Sequence, residues 1–276
     1  MCMRHSYKLV KYQVEDSVAK ITLNSPAKLN AFEVTLINDL IFAMQEAEED
    51  PNVKVIVLTG AGKAFCAGGD VSYMLSLNLE SAYDYVKIGK KLVDAMTGTS
   101  KPIIAAVNGF AMGAGLSLAL LSDIVIASDK ALFGAAFINI GLMPDCGLLY
   151  YLPRVVGIRA AKELTLTGRN FDAQEALRLG VVNQVVEADQ LEETVEKLSK
   201  KMATGPAAAM ALTKSMMNSG LDMNIDGFMK NEALAQAMLI VSADAKEGAD
   251  AFLSKRKANF SSAAKSILTT ILSCMK

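Results

Sequence analysis

Short β-branched runs alternate along this chain with longer segments whose apolar residues recur at helical spacing. Tyr7–Val14 and Ser17–Leu23 predict two strands joined at Glu15-Asp16, and Asn24-Ser25-Pro26 ends the second. Asn30-Ala-Phe-Glu33 predicts a capping box for a helix with Val34, Ile37, Leu40, Ile41 and Met44 on one face, ending near Asp50-Pro51. Val53–Leu58 predicts a buried strand feeding a loop, residues 59–70, that carries four glycines. An amphipathic helix follows over about Glu80–Met96. Pro102 then precedes a second buried run, IIAAVN, which leads into the stretch NGFAMGAGLSLALL. Asp123–Ala127 and Ala131–Phe133 predict two more strands. The middle of the chain therefore has the order strand, glycine turn, helix, repeated.

Asp172-Ala-Gln-Glu175 predicts a second capping box, with its helix ending at Gly180. From about Ala188 the pattern is helical, over Leu191–Met202, Pro206–Asn218, Ile225–Val241 and Asp244–Phe252. The fold class expected is α/β. A core over residues 1–200 is followed by a helical region, 201–260, and an apolar tail, 261–276. The Ala-, Leu- and Met-rich C-terminal helices offer more apolar face than one core needs, which predicts self-association.

Charge and composition remove several function classes. Lys+Arg is 28 and Asp+Glu is 29, so nothing argues for nucleic acid or an anionic membrane. No signal-peptide core or membrane-length apolar run stands out, and the four scattered cysteines form no metal-ligand spacing, so a cytoplasmic, metal-free protein is expected. His5 is the only histidine. Histidine-based triads and HExxH zinc chemistry are thereby excluded, and proton transfer falls to carboxylates, Lys, Tyr or Cys. Without a base beside them, Cys66 and Cys146 are expected to be packed thiols.

Two glycine turns carry the candidate chemistry. Neither is a phosphate loop: Gly62-Lys63 is followed by Ala64, and Gly113-Ala-Gly115 has Leu118 where a dinucleotide fingerprint needs a third glycine. Each turn can instead present a free backbone N–H, the second from the positive end of a helix, and two such donors aimed at one point form an oxyanion hole. Close strand–helix packing is the competing explanation of the same glycines.

The segments KAFCAGGDV and NGFAMGAGLSLALLSDIVIAS resemble the two signature segments of the crotonase (enoyl-CoA hydratase/isomerase) superfamily. The likeness extends through NSPAKLNAF, FINIGLMPDCGLLYYLPRVVG, LTGRNFDAQEALRLGVVNQVV and AFLSKRKANF, roughly residues 7–260. The resemblance implies a spiral of ββα units with a C-terminal helical trimerisation region, assembled as a homotrimer or a hexamer. It implies an acyl-CoA thioester substrate and no cofactor beyond the CoA of that substrate. The oxyanion donors would be the amides of Gly69 and Ala114. CoA would lie along Ala27, Lys28, Ala67, Gly68 and Asp70, with Phe252 and Lys255 contributed from the C-terminal helix of the same chain or of a neighbour. Met74, Met112, Ser117, Phe137 and Met143 would line the acyl pocket.

The chain departs from the hydratases of that family. The two glutamates that handle water there are replaced by Ser117 and Phe137. Asp145, in GLMPDCGLL, stands where isomerase branches of the family carry an aspartate. Apolar neighbours would raise its pKa and suit it to carbon acid chemistry. The same residue is also well placed to cap the helix that follows. The expected activity is movement of a C=C bond through a thioester enolate with Asp145 as acid/base. Hydration with atypical residues is the alternative, and an acyl-CoA-binding protein with little activity is the alternative of another class.

Overall fold

The computed structural model describes residues 6–260. The N-terminal hairpin is β1 (Val10–Glu15) and β2 (Val18–Leu23), followed by a 3-10 turn at Pro26–Lys28 and helix α1 (Val34–Glu49). Next come β3 (Val55–Gly60), β4 (Ala64–Cys66), a one-turn α2 (Val71–Met74) and α3 (Leu79–Gly98). The pattern repeats as β5 (Ile103–Val107), β6 (Phe110–Met112) and α4 (Ala114–Leu121). It repeats again as β7 (Ile124–Ser128) and β8 (Leu132–Gly134), followed by a 3-10 segment at Ala136–Ile140 and the helices α5 (Leu148–Val156) and α6 (Ile158–Thr167). β9 (Asn170–Asp172), α7 (Ala173–Arg178) and β10 (Gln184–Val186) close the core. Helices α8 (Leu191–Ala203), α9 (Ala207–Gly220), α10 (Ile225–Ile240) and α11 (Ala243–Leu253) complete the described chain.

Each turn of this winding gives one strand to each of two sheets. The larger sheet has the order β1-β2-β3-β5-β7-β10 and the smaller the order β4-β6-β8-β9. The neighbours β3, β5 and β7 are parallel, as are β4, β6 and β8. Strands covered on both sides read as continuous apolar runs, and Ile103–Val107 is buried at all five positions. One face of the larger sheet packs on α1, α3, α4 and α5 in the main core; the other packs on Leu191, Val195 and Ala203 of α8. Seven of the eight residues of α4 are buried, so that helix needs no polar face.

Several elements differ from the sequence expectation, for tertiary reasons. The segment 59–70 is not all loop, because Ala64–Cys66 pairs with Phe110–Met112. Asn30 caps nothing. It is fully buried, and its amide donates to the carbonyls of Ala61, Ala64 and Phe65, tying the glycine loop to the turn before α1. Asp172 does cap α7 through the Glu175 N–H at 2.7 Å, but the Glu175 carboxylate pairs with Arg169 rather than completing the box. Asp123 lies just before β7 and turns its carboxylate to the Ile103 N–H and to buried Lys214 on α9, at 2.7 and 2.8 Å. That pair fastens the C-terminal helices to the core. The predicted apolar tail, 261–276, lies outside the described residues, as does His5. No described helix is long and apolar enough to cross a membrane.

Candidate active site

The winding brings the two glycine turns together because β4 pairs with β6, and each turn leaves the C-terminal end of its strand. Phe32 then fixes the first turn through a parallel bridge to Gly69. The Phe32 N–H donates to the Gly68 carbonyl at 2.6 Å, and the Asp70 N–H donates to the Phe32 carbonyl at 3.1 Å. In that arrangement the N–H of the bridged residue points away from the bridging chain. The Gly69 N–H therefore has no backbone acceptor among the described residues, and Gly69 lines a cavity.

The second donor arises at the start of α4. Gly113 has φ 53° and ψ −119°, a conformation that L side chains rarely adopt, and this turn leaves Ala114 as the first helical residue. Its N–H is one of the amides a helix cannot pair, and it carries the positive end of the helix dipole. A Cβ on Gly68, itself at φ 96°, would lie 3.6 Å from the Ala114 nitrogen and only 2.8 Å from the Met112 carbonyl oxygen. The two turns thus touch at Gly68. Gly115, by contrast, serves packing: a side chain there would collide with the Cys66 backbone.

The cavity holds about 180 Å³. Its lining includes Ala67, Gly68, Gly69, Met74, Met112, Ala114, Phe137 and Asp145. Asp145 is its only carboxylate among the described residues. It does not cap α5, which begins from Gly147 with no side-chain cap. Its Oδ1 is buried with no hydrogen-bond partner among the described residues, and burial holds the carboxyl above the usual carboxylate range. Of its sequence neighbours, Leu142 lines the cavity with it, whereas Met143 is 75% exposed and absent from the lining. Phe137 and Ile140, and Val86 and Gly89 of α3, add apolar lining from further away in the chain.

The other expected residues have identifiable places, and not all of them reach the cavity. Ser117 is 1% exposed and does not line the cavity; its hydroxyl donates to the Asp145 main-chain carbonyl at 3.1 Å. The Phe137 ring packs 3.7 Å from where a Cβ on Gly113 would stand, and so forms an apolar wall. Met143 projects outward and is absent from the lining. Asp70 caps α2 through the Tyr73 N–H and, with Glu33, holds Lys28 Nζ at 3.2 and 2.8 Å. Lys28 thus lies next to the loop but is already paired; Ala27 shares its exposed turn. The Ala67 N–H is used by the Leu29 carbonyl. Phe252 and Lys255 are exposed at the end of α11 and do not reach the cavity of their own chain.

Sequence reasoning missed Tyr85, Gly89 and the cavity role of Cys146. In sequence Tyr85 is one more position on an amphipathic helix, and only packing turns it toward the glycine loop. Its hydroxyl donates to the Phe32 carbonyl at 2.9 Å. Burial pushes up the Cys146 thiol, as expected of a packed cysteine. A larger cleft of about 530 Å³ lies across the other face of the main sheet. In its lining Lys20 pairs with Glu192 and Lys200 with Glu196, and neither Gly69, Ala114 nor Asp145 belongs to it.

A family model for enoyl-CoA hydratase/isomerase matches residues 13–263. The chain belongs to the enoyl-CoA hydratase/isomerase family, the crotonase superfamily. This member is 36% identical over 256 residues to a crotonyl-CoA hydratase of Syntrophomonas wolfei, covering 92% of this chain and 98% of the relative. It is 37% identical over 257 residues to the 1,2-epoxyphenylacetyl-CoA isomerase of Escherichia coli, covering 90% and 96%. A crystal structure of a putative enoyl-CoA hydratase from Streptomyces coelicolor superposes with a TM-score of 0.90 at 33% identity, covering 95% of this chain and 97% of that one. The crotonase fold expected from the signature segments is therefore the fold observed. The relatives' names are mostly those of hydratases, and favour hydration over the isomerisation expected from the missing glutamates.

Proposed function

We propose that this chain acts on an acyl-CoA thioester, whose carbonyl oxygen is received by the amides of Gly69 and Ala114, with Asp145 as its single acid/base. The observation that carries this reading is the meeting, in one apolar cavity, of two unpaired glycine-turn amides and one half-buried carboxylate with an unpartnered oxygen. Charge that develops on a thioester oxygen during enolate formation is met there by preorganised donors, each worth about 3–4 kcal/mol of barrier.

The site's chemistry supports double-bond isomerisation. Asp145 takes a proton from the α-carbon of a 3-enoyl thioester, the electron pair delocalises onto the oxygen held by the two amides, and the same carboxyl returns the proton to the γ-carbon. One base suffices, and its raised pKa brings it closer to that of the carbon acid. Ser117 is engaged with the main chain and Phe137 is apolar, so neither supplies the second carboxylate that paired water activation uses. The names of the relatives support the second reading, hydration of a 2-enoyl thioester with Asp145 alone directing water.

The CoA moiety would run past Ala27, Lys28, Ala67 and Asp70 at the mouth, and reach Phe252 and Lys255 of a neighbouring copy. That arrangement fits a trimer or hexamer built through α9–α11, where Ile225, Ile240, Val241, Phe252 and Leu253 are exposed. Supplying 2-enoyl-CoA and 3-enoyl-CoA thioesters side by side tests the assignment. Conversion of the 3-enoyl to the 2-enoyl compound supports isomerisation. Addition of water to the 2-enoyl compound alone supports hydration, and binding without turnover leaves an acyl-CoA-binding protein.

A further inference from the structure

We propose that Tyr85 is a positioning residue that sets the aim of the Gly69 amide, the donor on which the oxyanion hole depends and which no hydrogen bond holds directly. This rests on the reading of Gly69 as an oxyanion donor. The Gly69 N–H is kept in direction only by the bridge on either side of it, and both of its bonds run through Phe32. The Phe32 carbonyl accepts two donors, the Asp70 N–H at 3.1 Å and the Tyr85 hydroxyl at 2.9 Å. A carbonyl oxygen has two lone pairs, and both are occupied. The Tyr85 hydroxyl therefore fixes the orientation of the peptide against which residues 68–70 are registered.

Three further observations place the same side chain at this task. Its oxygen lies 3.6 Å from the position of a Cβ on Gly69, so it abuts the donor residue itself. Its ring packs edge-on against Tyr73 of α2, the helix that starts where the glycine loop ends, with centroids 5.5 Å apart and an interplanar angle of 60°. The residue also belongs to the cavity lining, so an acyl chain bound there would press on the ring. Helix α3 packs against α1 and supplies a rigid base for the hydroxyl. Tyr85 thus couples the outer wall of the pocket to the direction of a backbone amide that it never bonds.

Misplacing a reacting group by a fraction of an ångström to an ångström can cost up to about a hundredfold in rate. Tyr85→Phe keeps the ring, its Tyr73 contact and the apolar wall, and removes only the hydroxyl. The decisive readout is the carbonyl stretch of butyryl-CoA labelled with 13C at the thioester carbon, a saturated probe that reports the hole without turnover. On the parent protein the stretch should fall on binding. On Tyr85→Phe the fall should shrink, kcat should drop about ten- to a hundredfold, and KM should change little. The acid limb of the pH profile should stay in place, because Asp145 is untouched. Tyr73→Phe, which leaves the Phe32 carbonyl alone, serves as the control for general loosening and should retain the parental stretch. A full parental shift in Tyr85→Phe overturns the proposal, as does an equal loss in both variants. If the parent itself gives no shift, the oxyanion assignment of Gly69 falls, and the role of Tyr85 falls with it.

Discussion

The hydroxyl of Ser117 donates to the main-chain carbonyl of Asp145 across 3.1 Å, joining the helix that begins at Ala114, the proposed oxyanion donor, to the turn that carries Asp145, the proposed acid. The hydroxyl is buried, and its acceptor lies 28 residues further along the chain. The two parts of the site are thereby held in one frame. Ser117→Ala should lower kcat by about tenfold while leaving acyl-CoA affinity near the parental value, because it loosens the base and leaves the hole intact. Steady-state kinetics with parallel product-CoA titrations checks the split; equal losses in both would show a general packing defect.

Asp145→Asn keeps the shape of the side chain and cannot accept the proton. Turnover should fall at least about 10²-fold, within the usual range for a general base, with binding retained. Solvent-deuterium incorporation at the α- and γ-carbons should disappear together. Near-parental exchange would move the proton chemistry to another group.

Burial raises the pKa of Asp145, and the sign of the consequence for stability follows. Below the unfolded value, near 4, the carboxyl is protonated in both states and costs nothing. Above it the unfolded chain releases the proton first, so the native state loses stability as pH rises until the folded pKa is passed. Asp145→Asn should therefore raise the thermal midpoint at neutral pH, and the gain should vanish below about pH 4. In the parent, activity should rise with pH through the folded pKa, above the ordinary carboxylate range. Calorimetry and pH–rate profiles provide the measurements.

Gly113→Val places a branched side chain at a positive φ, against the Phe137 ring. It should impair both binding and turnover, in contrast to Asp145→Asn, because the turn that aims the Ala114 amide is lost. Gly68→Ala should behave likewise, since its Cβ would press on the Met112 carbonyl oxygen. Product-CoA affinity that survives in both variants would remove the turn from the binding site.

Lys28 is held by Glu33 and Asp70, and both carboxylates raise its pKa. Binding CoA there requires exchanging those partners for phosphate. Lys28→Ala should weaken CoA affinity by a few-fold with kcat unchanged, and the loss should shrink at high salt, as for any exposed charge contact. Lys255→Ala should show the same loss only if a neighbouring copy supplies that residue, which light scattering on the parent checks independently.

The apolar runs determined much of this protein by themselves. Ile103–Val107 and Val55–Leu58 have one stable use in water, as strands covered on both faces, and the glycines after them require turns. The signature segments in addition pointed to the family, and with it to Gly69, Ala114 and Asp145 as the residues proposed for its site. What the sequence could not set was direction. Asn30 reads as a helix cap but finds three carbonyls in the glycine loop, because a buried amide takes whatever acceptors packing brings to it. Ser117 reads as a pocket residue but turns its hydroxyl to the Asp145 backbone, and Lys28, expected beside CoA, is already paired twice. Tyr85 carries no local signal, because its acceptor lies 53 residues earlier and meets it only when α3 closes over the bridge between Phe32 and Gly69. Hydrophobic period and backbone freedom are properties of neighbouring residues and survive in the chain as written. Hydrogen-bond pairing and the desolvation of one carboxylate depend on segments far apart in sequence, and only the folded winding decides them.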